Sequence, residues 1–181
     1  MATANEIVAK AKSYIGTTEN PSGSNNVIFN TDYYGRQVSG DAYAWCCAFV
    51  WDVFRMCNAS SLFYNGQKTA YCPAVEDWGR KAGQTVNVAN IRAGDIVLFD
   101  WNGNKVADHI GIATGTISGG TFPTVEGNVS DAVRAMTRQP SQVCCVIRPE
   151  YSQPNNNADL LNRIRKLISD ARSIIKELEA N

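Results

Sequence analysis

Near residue 91 the hydrophobic period of this chain changes, and that change constrains the fold more than any other feature. Before it, apolar residues recur at helical spacing; after it, they fall in short runs that read as strands. Thr3-Ala4-Asn5-Glu6 has the form of a capping box, with Ile7, Val8, Ala11, Tyr14 and Ile15 following and Gly16 placed to end a helix. From Trp45, the residues Phe49, Val50, Val53, Phe54 and Met56 give a second helix with a broad apolar face. A third is expected from Pro73 to Ala82, with proline in its first turn and Gly83 after its end. Between the first two, residues 17–42 are rich in Gly, Asn, Ser and Thr and read as one long loop. Beyond the turn Ile91–Asp95, strands are expected at Ile96–Phe99, His109–Ala113, Phe122–Glu126, Val133–Arg138 and Val143–Ile147. Helices first and strands second is an α+β layout, N-terminal helices packed on an antiparallel β-sheet.

A length of 181 residues allows one domain with an appendage. The expected division is a domain at 1–151, a polar linker at 152–158 and a separate amphipathic helix at 159–181. In that tail Leu160, Ile164, Leu167, Ala171, Ile174 and Leu178 form a heptad seam, and Leu161, Ile168 and Ile175 add a second row. So wide a face predicts a homo-oligomer through 159–181; docking on the chain's own domain or on a partner is the alternative, as is a further wall-binding domain once following this helix. The formal net charge is zero, so nothing points to nucleic acid or an anionic membrane as partner. No apolar stretch is long enough for membrane insertion. Met1–Glu6 lacks the basic and apolar regions of a signal peptide, which predicts synthesis in a reducing cytoplasm.

Six cysteines include the vicinal pairs Cys46-Cys47 and Cys144-Cys145, which argues against a disulfide framework. The absence of Cys-x-x-Cys spacing and the single histidine argue against a zinc motif. The pattern reads as one functional thiol among structural ones. Cys46 falls at the start of the second helix, where the dipole and unpaired amides favour thiolate. Both Cys46 and Cys47 can equally be core cysteines. His109 is the only imidazole, so a Cys–His enzyme has no other base; a lone histidine opening an apolar strand can also be structural. Glu126 can fix its tautomer, and Asn128 can do the same or position substrate. An oxyanion hole would use the Cys46 backbone N–H, with Tyr43 as candidate second donor and Trp45 as candidate substrate contact. Asp32 and Asp41 in the long loop are candidate calcium ligands, without the dense carboxylate alternation of a calcium loop. No other cofactor is expected.

Trp45-Cys46-Cys47-Ala48-Phe49-Val50 resembles the Trp-Cys-Ala-x-Phe-Val signature of the CHAP family, the cysteine, histidine-dependent amidohydrolases/peptidases. Gly94-Asp95-Ile96-Val97-Leu98-Phe99, Asp108-His109-Ile110-Gly111-Ile112, Val125-Glu126-Gly127-Asn128 and Val146-Ile147-Arg148-Pro149-Glu150-Tyr151 are similar to its later motifs, in the same order. The resemblance implies a papain-like α+β fold, a Cys46/His109/Glu126 triad assisted by Asn128, and cleavage of an amide bond in bacterial peptidoglycan. It implies an N-acetylmuramoyl-L-alanine amidase or peptide endopeptidase of the phage or prophage endolysin kind, made in the host cytoplasm and acting on the wall after release. Some members bind calcium through the loop before the cysteine. The vicinal Cys47 departs from the family's small residue, and the register makes Cys46 the nucleophile. A secreted-type autolysin, an antibacterial effector or other amidase, and a non-catalytic wall-binding module are the rival readings.

Overall fold

A computed structural model describes residues 2–152, 161, 164–169, 171 and 172. The chain divides into two units, Met1–Tyr151 and Ser152–Asn181. In the first, helices α1 (Ala4–Ser13), α2 (Ile28–Tyr34), α3 (Cys46–Met56) and α4 (Cys72–Lys81) precede strands β1 (Ile96–Phe99), β2 (His109–Ala113), β3 (Phe122–Val129), β4 (Ala132–Arg138) and β5 (Val143–Ile147). The strands form one antiparallel sheet in the order β4-β3-β2-β1-β5, so β5 leaves the meander and returns to pair with β1.

The capping box forms as expected. The Glu6 carboxylate accepts from the Thr3 backbone N–H at 2.7 Å, and the Thr3 hydroxyl accepts from the Glu6 N–H at 3.3 Å. The stretch 17–42 is not one loop, because α2 forms within it. Its N-cap, Val27, gives no side-chain cap, so tertiary packing holds it: Phe29 is fully buried against Trp45, Phe49 and Tyr14.

Helix α3 is buried on nearly every side, from Cys46 through Phe54, as an apolar helix without a polar face must be. Strand β1 is buried throughout. Ile96 and Leu98 join the large core with the helices, while Val97 and Phe99 pack with Ile91, Phe122 and Val146 in a smaller one. This is the period-2 geometry of a strand covered on both faces.

Two clasps close the unit. Arg148 forks onto Asp95 with both bonds at 2.8 Å, and the Tyr151 hydroxyl donates to the Gly94 carbonyl at 2.6 Å. Gly94 has φ +93°, and a Cβ there would stand 2.7 Å from that of Ala4 and 3.1 Å from the Tyr151 ring. Only glycine fits where the start of α1, the entrance to β1 and Tyr151 meet.

In the second unit residues 161, 164–169 and 171–172 are helical and exposed. Linker positions 153–158 and the seam residues Leu160, Ile174, Ile175 and Leu178 lie outside the described residues.

Candidate active site

Cys46 is the first residue of α3, and Trp45 before it offers no side-chain cap. The first-turn amides, at the positive end of the helix, are left to face whatever approaches the thiol. Trp45 itself is fully buried. Its ring stacks on Phe29 at 5.5 Å, and its indole N–H donates to Glu19 at 2.7 Å. Glu19 also accepts from the Asn25 N–H at 2.7 Å. Trp45 therefore anchors the helix start to the preceding segment, and its expected substrate contact is corrected on that ground. Gly127 completes the anchorage: a Cβ there would lie 2.5 Å from the Phe49 Cβ and 2.8 Å from the Trp45 ring, so β3 reaches α3 only through glycine.

His109 opens β2 and is largely buried. Its Nε2 lies 3.0 Å from Glu126 Oε2. The imidazole also lies near enough to the Cys46 thiol for each to shift the other's ionisation. Glu126 is wholly buried on β3, and Gly111 makes room for it, since a Cβ at 111 would stand 2.5 Å from the Glu126 Cγ. Besides His109, the carboxylate accepts from the Thr124 hydroxyl and twice from Arg138, Nε to Oε1 at 2.9 Å and Nη2 to Oε2 at 2.6 Å. The Arg138 guanidinium lies 4.8 Å from the Trp101 ring centroid; Trp101 stacks on Phe99 at 5.0 Å, and the imidazole tilts against both at 5.9 Å. Arg138, Thr124 and Trp101 carried no motif in the sequence.

Burial is the largest single influence on Glu126 and pushes its carboxyl up, but the bonds from Arg138, His109 and Thr124 outweigh it and hold the group at about 2. Burial likewise works against the imidazolium, yet Cys46 and Glu126 raise His109 to about 9. For Cys46 the neighbouring Cys47 and Cys72 thiols are the first influence, and with His109 they hold it well below the usual thiol range against burial. Cys47 is pushed up, chiefly by Cys46 and Cys72, and Cys72 is pushed up, chiefly by Cys46. These shifts run toward a thiolate–imidazolium pair with an ionised carboxylate behind it.

The sulfurs form a cluster. Cys72, first residue of α4, stands 3.7 Å from Cys46 and 3.2 Å from Cys47, sulfur to sulfur. All six cysteines are free. Cys47 is fully enclosed, whereas Cys46 keeps 7% of its surface exposed.

Asn128 follows Glu126 in a bulge, with φ +60°. It lines a cavity of about 360 Å³ shared with His109, Trp101, Ser130 and Arg138. Glu126, not Asn128, takes the imidazole Nε2. Tyr43 ends a single 3₁₀ turn; its carbonyl accepts from Asn30 at 2.7 Å and its ring meets Tyr34 edge-on at 5.1 Å. No hydrogen bond joins it to Cys46, His109 or Glu126 among the described residues. Asp32 is paired with Arg55, which Asp52 shares, and Asp41 lies apart in the 3₁₀ turn. Among the described residues, the one set of mutually close ligand-type side chains is Cys46, Cys47 and Cys72. Sulfur donors do not suit calcium, and the expected carboxylates do not converge to hold it.

A family model described as the CHAP domain matches residues 38–128, a span that contains Cys46, His109, Glu126 and Asn128. No curated protein matches the chain. Among solved structures, the wild-type endolysin LysIME-EF1 is similar with a TM-score of 0.57 and 21% identity, over 84% of this chain and 66% of that one. Ly7917 is similar with a TM-score of 0.47 and 17% identity, over 82% of this chain and 63% of that one. This chain thus spans just under two thirds of the length of either.

Proposed function

We propose that this chain, which belongs to the CHAP domain family, is a cysteine hydrolase that cleaves an amide bond of bacterial peptidoglycan. The observation that carries the reading is His109 held 3.0 Å from the buried Glu126 carboxylate and acting on the ionisation of Cys46, a thiol at an uncapped helix start. The Cys46 thiolate attacks the amide carbonyl carbon, and the new oxyanion lies against the Cys46 backbone N–H at the positive helix end. His109, protonated in the resting pair, gives its proton to the leaving amine nitrogen. Water, deprotonated by the same imidazole, then releases the thioester as a carboxylate and restores the pair. Glu126 keeps the imidazole in one tautomer and balances its charge throughout. Asn128 and Ser130, on the wall of the cavity beside His109, contact the substrate.

The scissile bond joins the muramoyl group to L-alanine or lies within the peptides, and the likeness to an endolysin favours action on the wall from a phage-encoded, host-made enzyme. Residues 1–151 carry the chemistry and the segment 159–181 brings copies together for avidity; a monomer by light scattering would reject the latter. The function is tested on purified cell walls, with mass analysis of the soluble fragments. Released muropeptides with new amine ends are expected from the wild type and none from Cys46→Ala. A wild type that releases nothing overturns the reading.

A further inference from the structure

We infer that Cys46, Cys47 and Cys72 form a binding site for a thiophilic divalent cation of the zinc class, and that a bound ion silences the nucleophile. All three sulfurs lie within 4.8 Å of one another. Two of their separations are 3.7 and 3.2 Å. Sulfurs held at about 2.3 Å around a tetrahedral zinc ion stand about 3.8 Å apart. The 3.7 Å pair already has that separation, and the 3.2 Å pair must open by about 0.6 Å, which is side-chain adjustment. Two helix starts supply it, Cys46 and Cys47 from α3 and Cys72 from α4, so the ligands are set by backbone rather than by mobile loops.

The donor chemistry is selective. Three soft sulfurs with no carboxylate in the set suit zinc or cadmium and not calcium or magnesium. Cys47 is fully enclosed, while Cys46 and Cys72 keep 7% and 5% of their surface exposed, the side from which an ion reaches the set. His109 lies outside the sulfur set, which supplies three ligands. On binding, each thiol that still carries a proton passes it to solvent, and three metal–sulfur bonds form without any change of oxidation state. The Cys46 lone pair that would attack a carbonyl is then engaged. The binding stands on the sulfur geometry; the inhibition rests on the proposed role of Cys46.

The experiment uses the full chain, reduced, stripped of metal and kept free of oxygen, titrated with Co²⁺ as spectroscopic probe and then with Zn²⁺. One Co²⁺ per chain is expected, with a sulfur-to-cobalt charge-transfer band that Zn²⁺ abolishes. Cys46→Ala, Cys47→Ala and Cys72→Ala should each lower the band by about a third and weaken binding about tenfold or more. Cys57→Ala should leave both unchanged, and far-ultraviolet circular dichroism verifies that each variant is folded. In the same buffer Zn²⁺ should stop wall lysis over the concentrations at which the site fills, and a chelator should restore it. Absence of the band in the wild type overturns the site without recourse to any variant, as does a full band in a folded Cys47→Ala/Cys72→Ala double variant. A wild type that shows the band but never lyses walls keeps the site and sinks the proposed function instead.

Discussion

Replacing Arg138 by methionine removes the partner that keeps a wholly buried carboxylate charged. Glu126 lies at about 2 rather than at 4.5, a difference of about 3 kcal/mol in favour of its ionised form. Arg138 supplies two of its four hydrogen bonds, at 2.9 and 2.6 Å, from a side chain only 16% exposed. Breaking such a pair costs about 3–5 kcal/mol, which for a unit of this size lowers Tm by roughly 6–20 °C. The sign with pH follows from the depressed value. Glu126 stabilises the fold fully above 4.5, and that contribution is lost as pH falls through about 2. Without Arg138, burial prevails, the carboxyl titrates higher, and both the acid loss of stability and the acid limb of lysis move up by about one pH unit or more. Thermal melts followed by circular dichroism, from acid to neutral pH, measure the first; initial rates of turbidity loss measure the second. Arg138→Lys keeps the charge but not the fork and should recover part of both. A methionine variant that melts within about 1 °C of the wild type, with an unshifted acid limb, refutes the assignment of Arg138 as the residue positioning Glu126.

Cys46→Ala should abolish lysis with little change in Tm, while Cys47→Ala keeps most of it; the reverse result, seen in turbidity assays, would move the nucleophile. Because His109 is held at about 9 rather than 6.5, its contribution to stability is complete below 6.5 and fades as pH rises through 9. Lysis should decline over the same alkaline range, and Glu126→Gln should draw that limb to lower pH; an unmoved limb would dissociate the carboxylate from the base. Gly127→Ala should cost about 1–3 kcal/mol in urea melts, because its methyl must displace Phe49 and the Trp45 ring.

Much of this architecture is legible in the residues because local and global signals agree. The Thr3–Glu6 box, the broad apolar face after Trp45 and the alternating runs beyond Ile96 each name their element. Helix α2 is not legible, since it is short, lacks a side-chain cap, and is held by Phe29 packing against residues that come later in the chain. Arg138 is hidden for a different reason. Its cross-strand partner is Phe122, while Arg134 stands opposite Glu126 and bonds the Val129 and Ser130 carbonyls instead. Even a correct register would have paired the carboxylate with the wrong arginine. Cys72 is brought to Cys46 by the packing of two helix starts, a juxtaposition that no spacing rule encodes.

The crowding at Gly94 reaches beyond packing. Ala4, at the first turn of α1, and the Tyr151 ring, at the far end of the unit, press on the same small patch of backbone. The two points where the chain enters and leaves the unit are therefore neighbours, as in modules that tolerate insertion into larger proteins. Such a unit is a portable cassette: sequence can be grafted before Ala4 or after Tyr151 without parting the Cys46–His109–Glu126 line.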